Sequence, residues 1–126
     1  MISLIMTSSD LSGMMKPFEL VHEQVLLLHE EFWTEGDQRK SLNLPCIAMM
    51  DRDQRDCLPK GQLDFYNFIM VRCFGTLARI LPNCSSMERD IQRVIDEWKK
   101  LDEKSKEVFD ENNQNDESKS PSPAVD

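Results

Sequence analysis

"LPKGQLDFYNFIM", residues 58–70, is the stretch on which the reading of this chain turns. Pro59 suits the first turn of a helix, where its missing N–H costs nothing. A helix opening there lines up Gln62, Phe65, Tyr66 and Ile69 along one side. An amide set among aromatic and aliphatic groups is more than a plain core requires. The apolar stripe continues through Met70, Cys73, Leu77 and Ile80 to Leu81-Pro82, where the helix should stop.

The neighbouring segments follow the same helical period. Upstream, Val21, Val25, Leu28 and Phe32 predict a helix from Phe18 to about residue 38, with Gly36-Asp37 as its stop signal. Residues 1–11 read as the end of another helix, with Ile2, Ile5 and Met6 on one stripe. Residues 39–58 have no sustained period and read as a long loop, a length that usually carries function. Downstream, Ser85-Ser86-Met87-Glu88 predicts a capping box that opens a helix through Ile91, Val94, Ile95, Trp98 and Leu101. Nothing argues for a strand, so the expected fold class is all-α. Beyond Leu101 the period is lost, and residues 102–126 read as a disordered acidic tail containing Ser120-Pro121 and Ser122-Pro123.

Composition narrows the function classes. The chain has 126 residues and a net charge of -8, of which residues 102–126 carry -5 through eight acidic and three basic groups. Nucleic-acid binding needs cations gathered on one face, and this balance argues against it. Cys46, Cys57, Cys73 and Cys84 form no C-x-x-C pair, which points to reduced thiols in a cytosolic protein. The apolar opening Met1 to Met6 is too short to span a membrane and lacks a basic leader, so it reads as the inside of a larger helical assembly. His22 and His29 lie about 10 Å apart along one helix, too far for one metal ion, and no nucleophile elbow or phosphate-cradling glycine loop occurs.

Taken in order, "MTSSDL" (6–11), "EEFWTEGD" (30–37), "MMDRDQRDCLPKGQLDFYN" (49–67) and "LARILP" (77–82) resemble the C-terminal third of the catalytic domain of 3′,5′-cyclic-nucleotide phosphodiesterases. The resemblance is strongest to the tenth, dual-specificity family acting on cyclic AMP and cyclic GMP, and it covers residues 3–100. It implies an all-helical catalytic subdomain over residues 1–101, with the rest of the domain preceding it. It also implies a two-metal centre of zinc with magnesium or manganese. Asp10 looks like that family's last aspartate ligand of the zinc. Gln62 looks like its purine-binding glutamine, with Phe65 against one face of the base and Leu28 against the other. Met49, Leu58, Gly61, Leu11, Met14 and His29 would complete the base pocket.

Asp64 stands where the family usually has glycine, and one helical step should turn it away from the base. Ala48 replaces a common proline, while Gln54 and Cys57 occupy rim positions where charged residues are more usual. The metal-binding histidines fall outside this chain, so the chain alone is expected to be inactive, and a homodimer is the expected assembly of the family. A non-catalytic helical module that binds or competes with a full-length phosphodiesterase is the alternative, since orphaned apolar faces favour association.

Overall fold

The computed structural model describes residues 1–117, and the Ser120-Pro121 and Ser122-Pro123 pairs of the expected tail lie outside them. Among these residues every regular element is helical. The elements are α1 (Ile2–Leu11), α2 (Phe18–Ser41), α3 (Leu58–Phe65), α4 (Val71–Ile80) and α5 (Ser86–Glu117), joined by short 3-10 turns. No described helix is long and apolar enough to cross a membrane.

The rod formed by α3 and α4 is one continuous helix interrupted by a π turn at Tyr66–Met70. That turn was not visible in the residue pattern, and it changes which residues are buried. Gln62, Tyr66, Met70 and Phe74 repeat every four residues and are all buried, whereas the expected Ile69 and Ile80 are 46% and 44% exposed. A π turn takes more than four residues per revolution, so a spacing of four stays on one face where an α-helix would drift. The stripe packs on Ile91, Val94, Ile95 and Trp98 of α5, and Val21 and Val25 of α2 join the same core. Phe18 meets Trp98 edge-on at 5.1 Å, which anchors the start of α2.

α2 runs three residues beyond the expected stop. Gly36 is inside the helix and buried, and a Cβ there would stand 1.9 Å from the Met50 carbonyl oxygen. The glycine is needed because another backbone crosses the helix at that point. The stop is instead made by Asn43, two residues past the helix end, in the left-handed region with φ 54°. Asn43 N–H donates to the Lys40 carbonyl at 3.1 Å and Leu44 N–H to the Arg39 carbonyl at 2.8 Å, the paired bonds of a Schellman motif.

Two further expectations are corrected. The capping box does not form: Ser85 is already helical (φ −62°, ψ −24°), and the bond made there runs from Glu88 N–H to the Ser85 carbonyl at 3.3 Å. A capping side chain needs an extended backbone at its own residue. α5 also continues past Leu101 to Glu117, into the segment expected to be disordered. It leaves the core at Leu101, so the apolar period disappears while helix formers and pairs such as Lys106–Asp102 (2.5 Å) persist on an exposed surface.

Candidate functional site

Between α2 and α3 lies a cavity of about 710 Å³. Its roof is the segment 48–57, which crosses α2 at Gly36 and is tied down by two cations. Arg52 donates to Glu30 at 2.8 Å and to Asp37 at 3.0 Å, and its guanidinium lies 5.7 Å from the centre of the Trp33 ring. Lys40 donates to Asp51 at 2.6 Å and Asp53 at 3.2 Å, and these bonds hold its ammonium pKa well above the ordinary lysine value. The same Lys40 bond lowers the Asp51 carboxyl. Of the residues read as a loop, 48–50 and 52–57 are therefore short helical turns fastened to α2, while 42–47 are turn and irregular backbone.

The floor is Gln62. It is 9% exposed, and its Oε1 is fully buried with no hydrogen-bond partner among the described residues. An orphaned buried acceptor costs about 1–3 kcal/mol, a cost that a donor from a ligand or a water in the cavity would remove. Phe65, one turn on, also lines the cavity and stands edge-on to Tyr66 at 5.8 Å. Leu28, 47% exposed, faces the same space from α2. His29 is buried beside it, with Nδ1 2.9 Å from the Val25 carbonyl. A proton on Nδ1 donated to that oxygen leaves Nε2 as a free acceptor.

Met49, Leu58, Gly61 and Met14 line the cavity as expected. Met14 is held by a long-range bond, since the Tyr66 hydroxyl donates to its carbonyl at 2.6 Å. Burial pushes the Tyr66 phenol up to about 12, and the neighbouring Trp98 indole N–H pulls the other way. That N–H makes no hydrogen bond of good geometry among the described residues.

Leu11 and Asp10 stand apart. Leu11, the last residue of α1, packs against the central core and does not line the cavity. Asp10 is exposed in the last turn of α1. No group of three His, Cys, Asp or Glu side chains converges on a metal-sized site among the described residues. A catalytic zinc takes about three protein ligands, so the residues present do not fit a resident metal.

Asp64 was expected to turn away, yet it lines the cavity with Lys60 and Gly61, because the opening extends over the outer turn of α3. Phe32 and Trp33 also line it; the residue pattern assigned the first to the core and passed over the second. Their spacing of four from Leu28 and His29 was the signal available.

A family profile described as 3′5′-cyclic nucleotide phosphodiesterase matches residues 1–91. The chain belongs to that family. It is 36% identical over 112 residues to the bovine cone cGMP-specific 3′,5′-cyclic phosphodiesterase subunit alpha′, covering 85% of this chain and 13% of the relative. It is 36% identical over 101 residues to the human rod cGMP-specific subunit alpha, covering 79% of this chain and 12% of the relative. The chain thus spans about an eighth of the length of these phosphodiesterases. The fold is that of a solved structure of LmjPDEB1 in complex with IBMX, with a TM-score of 0.69 at 23% identity over 78% of this chain and 30% of the other.

Proposed function

We propose that the cavity between α2 and α3 is the base-recognition pocket of a cyclic-nucleotide phosphodiesterase that hydrolyses cyclic AMP, cyclic GMP or both to the 5′-monophosphate. The observation that carries this reading is the buried, partnerless Oε1 of Gln62 at the floor of a largely apolar space. A carboxamide offers one acceptor and one donor group, the complement of a purine edge. Phe65 stacks on one face of the base, worth about 1–3 kcal/mol, and Leu28 covers the other. The Gln62 Oε1 has no partner among the described residues. An amide turned to present either atom would serve the dual-specificity reading, while the bovine and human relatives are named for cyclic GMP.

In the complete domain, zinc with magnesium or manganese would supply an activated water and polarise the phosphate oxygens. Asp10 is the one zinc ligand we assign to this chain. Alone it does not hold the ion, so the 126-residue chain is expected to show no hydrolysis of either nucleotide with zinc and magnesium added. Binding is the property to test. Trp33 lines the cavity, so its fluorescence should report cyclic nucleotide titrated into the folded chain. Gln62→Ala and Phe65→Ala should each weaken that binding about tenfold or more. Unchanged affinity in both would remove the pocket assignment.

A second reading rests on exposure. Ile2, Leu27 and Phe68 are 80%, 64% and 63% exposed, so α1, α2 and the π turn present apolar surface outward. A chain of this kind associates with another part of a phosphodiesterase through those faces. Co-purification with a full-length relative, abolished by charging Leu27 and Phe68, would support it.

A further inference from the structure

Two buried polar side chains line the cavity, Gln62 from α3 and His29 from α2. The other polar side chains with hydrogen-bonding nitrogen or oxygen on the free lining, Gln24, Gln54, Arg55, Lys60 and Asp64, are exposed. Base recognition as proposed above uses the amide of Gln62 and gives the imidazole no role. Turned either way, a carboxamide offers a purine one acceptor and one donor group. It therefore suits guanine and adenine alike, and any choice between them falls to the group beside it.

His29 is held as an acceptor. Its Nδ1 lies 2.9 Å from the Val25 carbonyl oxygen, an atom that can only accept, so in the neutral ring the proton sits on Nδ1. Nε2 then carries a lone pair and no hydrogen, and no described residue bonds to it. The ring stands edge-on to Phe32 at 5.7 Å and to Trp33 at 5.9 Å, which with the Val25 bond fixes its plane. An amide exchanges acceptor for donor by turning over. This ring cannot do so without losing its bond to Val25.

We propose that His29 is a specificity-determining residue whose Nε2 accepts a hydrogen bond from the 2-amino group of guanine, so that the site prefers cyclic GMP. The proposal rests on the base-pocket reading and deepens it. Guanine carries an acceptor, O6, and two donor groups, N1–H and the 2-amino group; adenine carries one donor group, the 6-amino group, and a C–H where guanine has its 2-amino group. Once Gln62 has bonded one donor and one acceptor of the base, guanine has a donor to spare and adenine does not. A buried acceptor that meets an N–H regains a bond, whereas one that meets a C–H has given up water for nothing.

The test measures the affinity of the 126-residue chain by calorimetry for cyclic GMP, for cyclic AMP, and for cyclic IMP, which is cyclic GMP without its 2-amino group. Cyclic GMP should bind about fivefold or more tighter than either of the others. His29→Phe keeps a ring between Phe32 and Trp33 and removes Nε2, so it should bring cyclic GMP and cyclic IMP to within about twofold of each other. Asp64→Ala removes the carboxylate from the lining and should leave that ratio as it was. A ratio is insensitive to the fraction of a variant that folds. Without any substitution, nitrogen NMR of the histidine-labelled chain should show Nε2 of His29 unprotonated and its resonance moving with cyclic GMP but not with cyclic IMP.

Equal affinities of the parent chain for cyclic GMP and cyclic IMP would overturn the proposal. So would a preference that survives His29→Phe or disappears in Asp64→Ala, or a proton on Nε2. If His29→Phe does not fold, the parent ratio and the Nε2 resonance decide. Binding of none of the three nucleotides is the failure of the base-pocket reading itself, distinct from binding without discrimination, which removes the role of His29 alone.

Discussion

The cavity wall and helix α1 treat their polar groups in opposite ways. Around the cavity, Arg52 and Lys40 are each bonded to two carboxylates, the Tyr66 hydroxyl is spent on Met14, and Gln62 keeps a buried atom without a partner among the described residues. On α1, Asp10 is exposed, without an ion-pair partner and without a second metal ligand among the described residues. On the function proposed above, the first region is the part that receives the ligand and the second supplies one group of a metal site. That reading puts recognition within this chain and leaves the chemistry dependent on groups it does not contain.

The sharpest way to break the first region is Gly36→Ala. The new methyl would meet the Met50 carbonyl at 1.9 Å, and neither the helix nor the crossing backbone can rotate away as a side chain would. Overpacking usually costs about 1–3 kcal/mol, and here the upper end is expected. Urea unfolding should read that loss, and lifting the roof should abolish cyclic nucleotide binding even at temperatures where the chain stays folded. Retention of both stability and binding would mean that the crossing at Gly36 does not hold the roof.

Gln62→Leu separates ligand recognition from stability, because the two should move in opposite directions. Removing a buried orphan acceptor should stabilise the free chain by about 1 kcal/mol. Binding should weaken by about 2 kcal/mol, or some thirtyfold. If the variant is less stable than the parent, Gln62 is serving the core and the ligand argument weakens.

Tyr66→Phe sharpens the same comparison at a lower level, with an expected cost of about 1 kcal/mol from the lost bond to Met14. Its pH dependence has a definite sign. The phenol titrates near 10 when unfolded and is pushed up to about 12 by burial in the fold. The folded state thus holds the proton more tightly. The contribution is fully present below pH 10 and is lost as pH rises through about 12. Melting curves of parent and variant should diverge least at the alkaline end, and parallel curves across that window would contradict the assigned burial.

Helices α1, α2 and the rod from Leu58 were legible because each carries an amphipathic period or a proline start. Three features escaped for separate physical reasons. Gly36 reads as a stop only when its neighbour in space is unknown, whereas Asn43, one of the few residues that adopt the left-handed region readily, was the true stop. The π turn keeps Gln62, Tyr66, Met70 and Phe74 on one face at a spacing an α-helix does not sustain. The end of α5 was lost because a helix in solvent shows no apolar period. Of the expected base pocket, eight residues do line one cavity, since α2, the roof and α3 each contribute a local run; Leu11 fell outside because it was carried there by motif order alone.

Asp10→Asn is the smallest effect and the most direct probe of the second region. Asp10 lies in the last turn of α1, where the backbone carbonyls give the helix a negative end. A carboxylate there is repelled by the helix dipole, and no described cation offsets it. The substitution should leave stability unchanged or raise it by about 0.3 kcal/mol. Zinc should not shift the melting temperature of either form, because an ion without enough ligands to bind the folded state adds no linkage energy. In a chimaera supplying the remainder of a relative's catalytic domain, the same substitution should instead abolish hydrolysis and zinc retention while cyclic nucleotide binding persists. If the asparagine variant of the short chain is clearly less stable than the parent, Asp10 has a structural role within α1, and its assignment as a metal ligand loses its support. A neutral or slightly stabilising result would leave a charged group that works against its own helix, the condition expected of a residue kept for a partner that lies elsewhere.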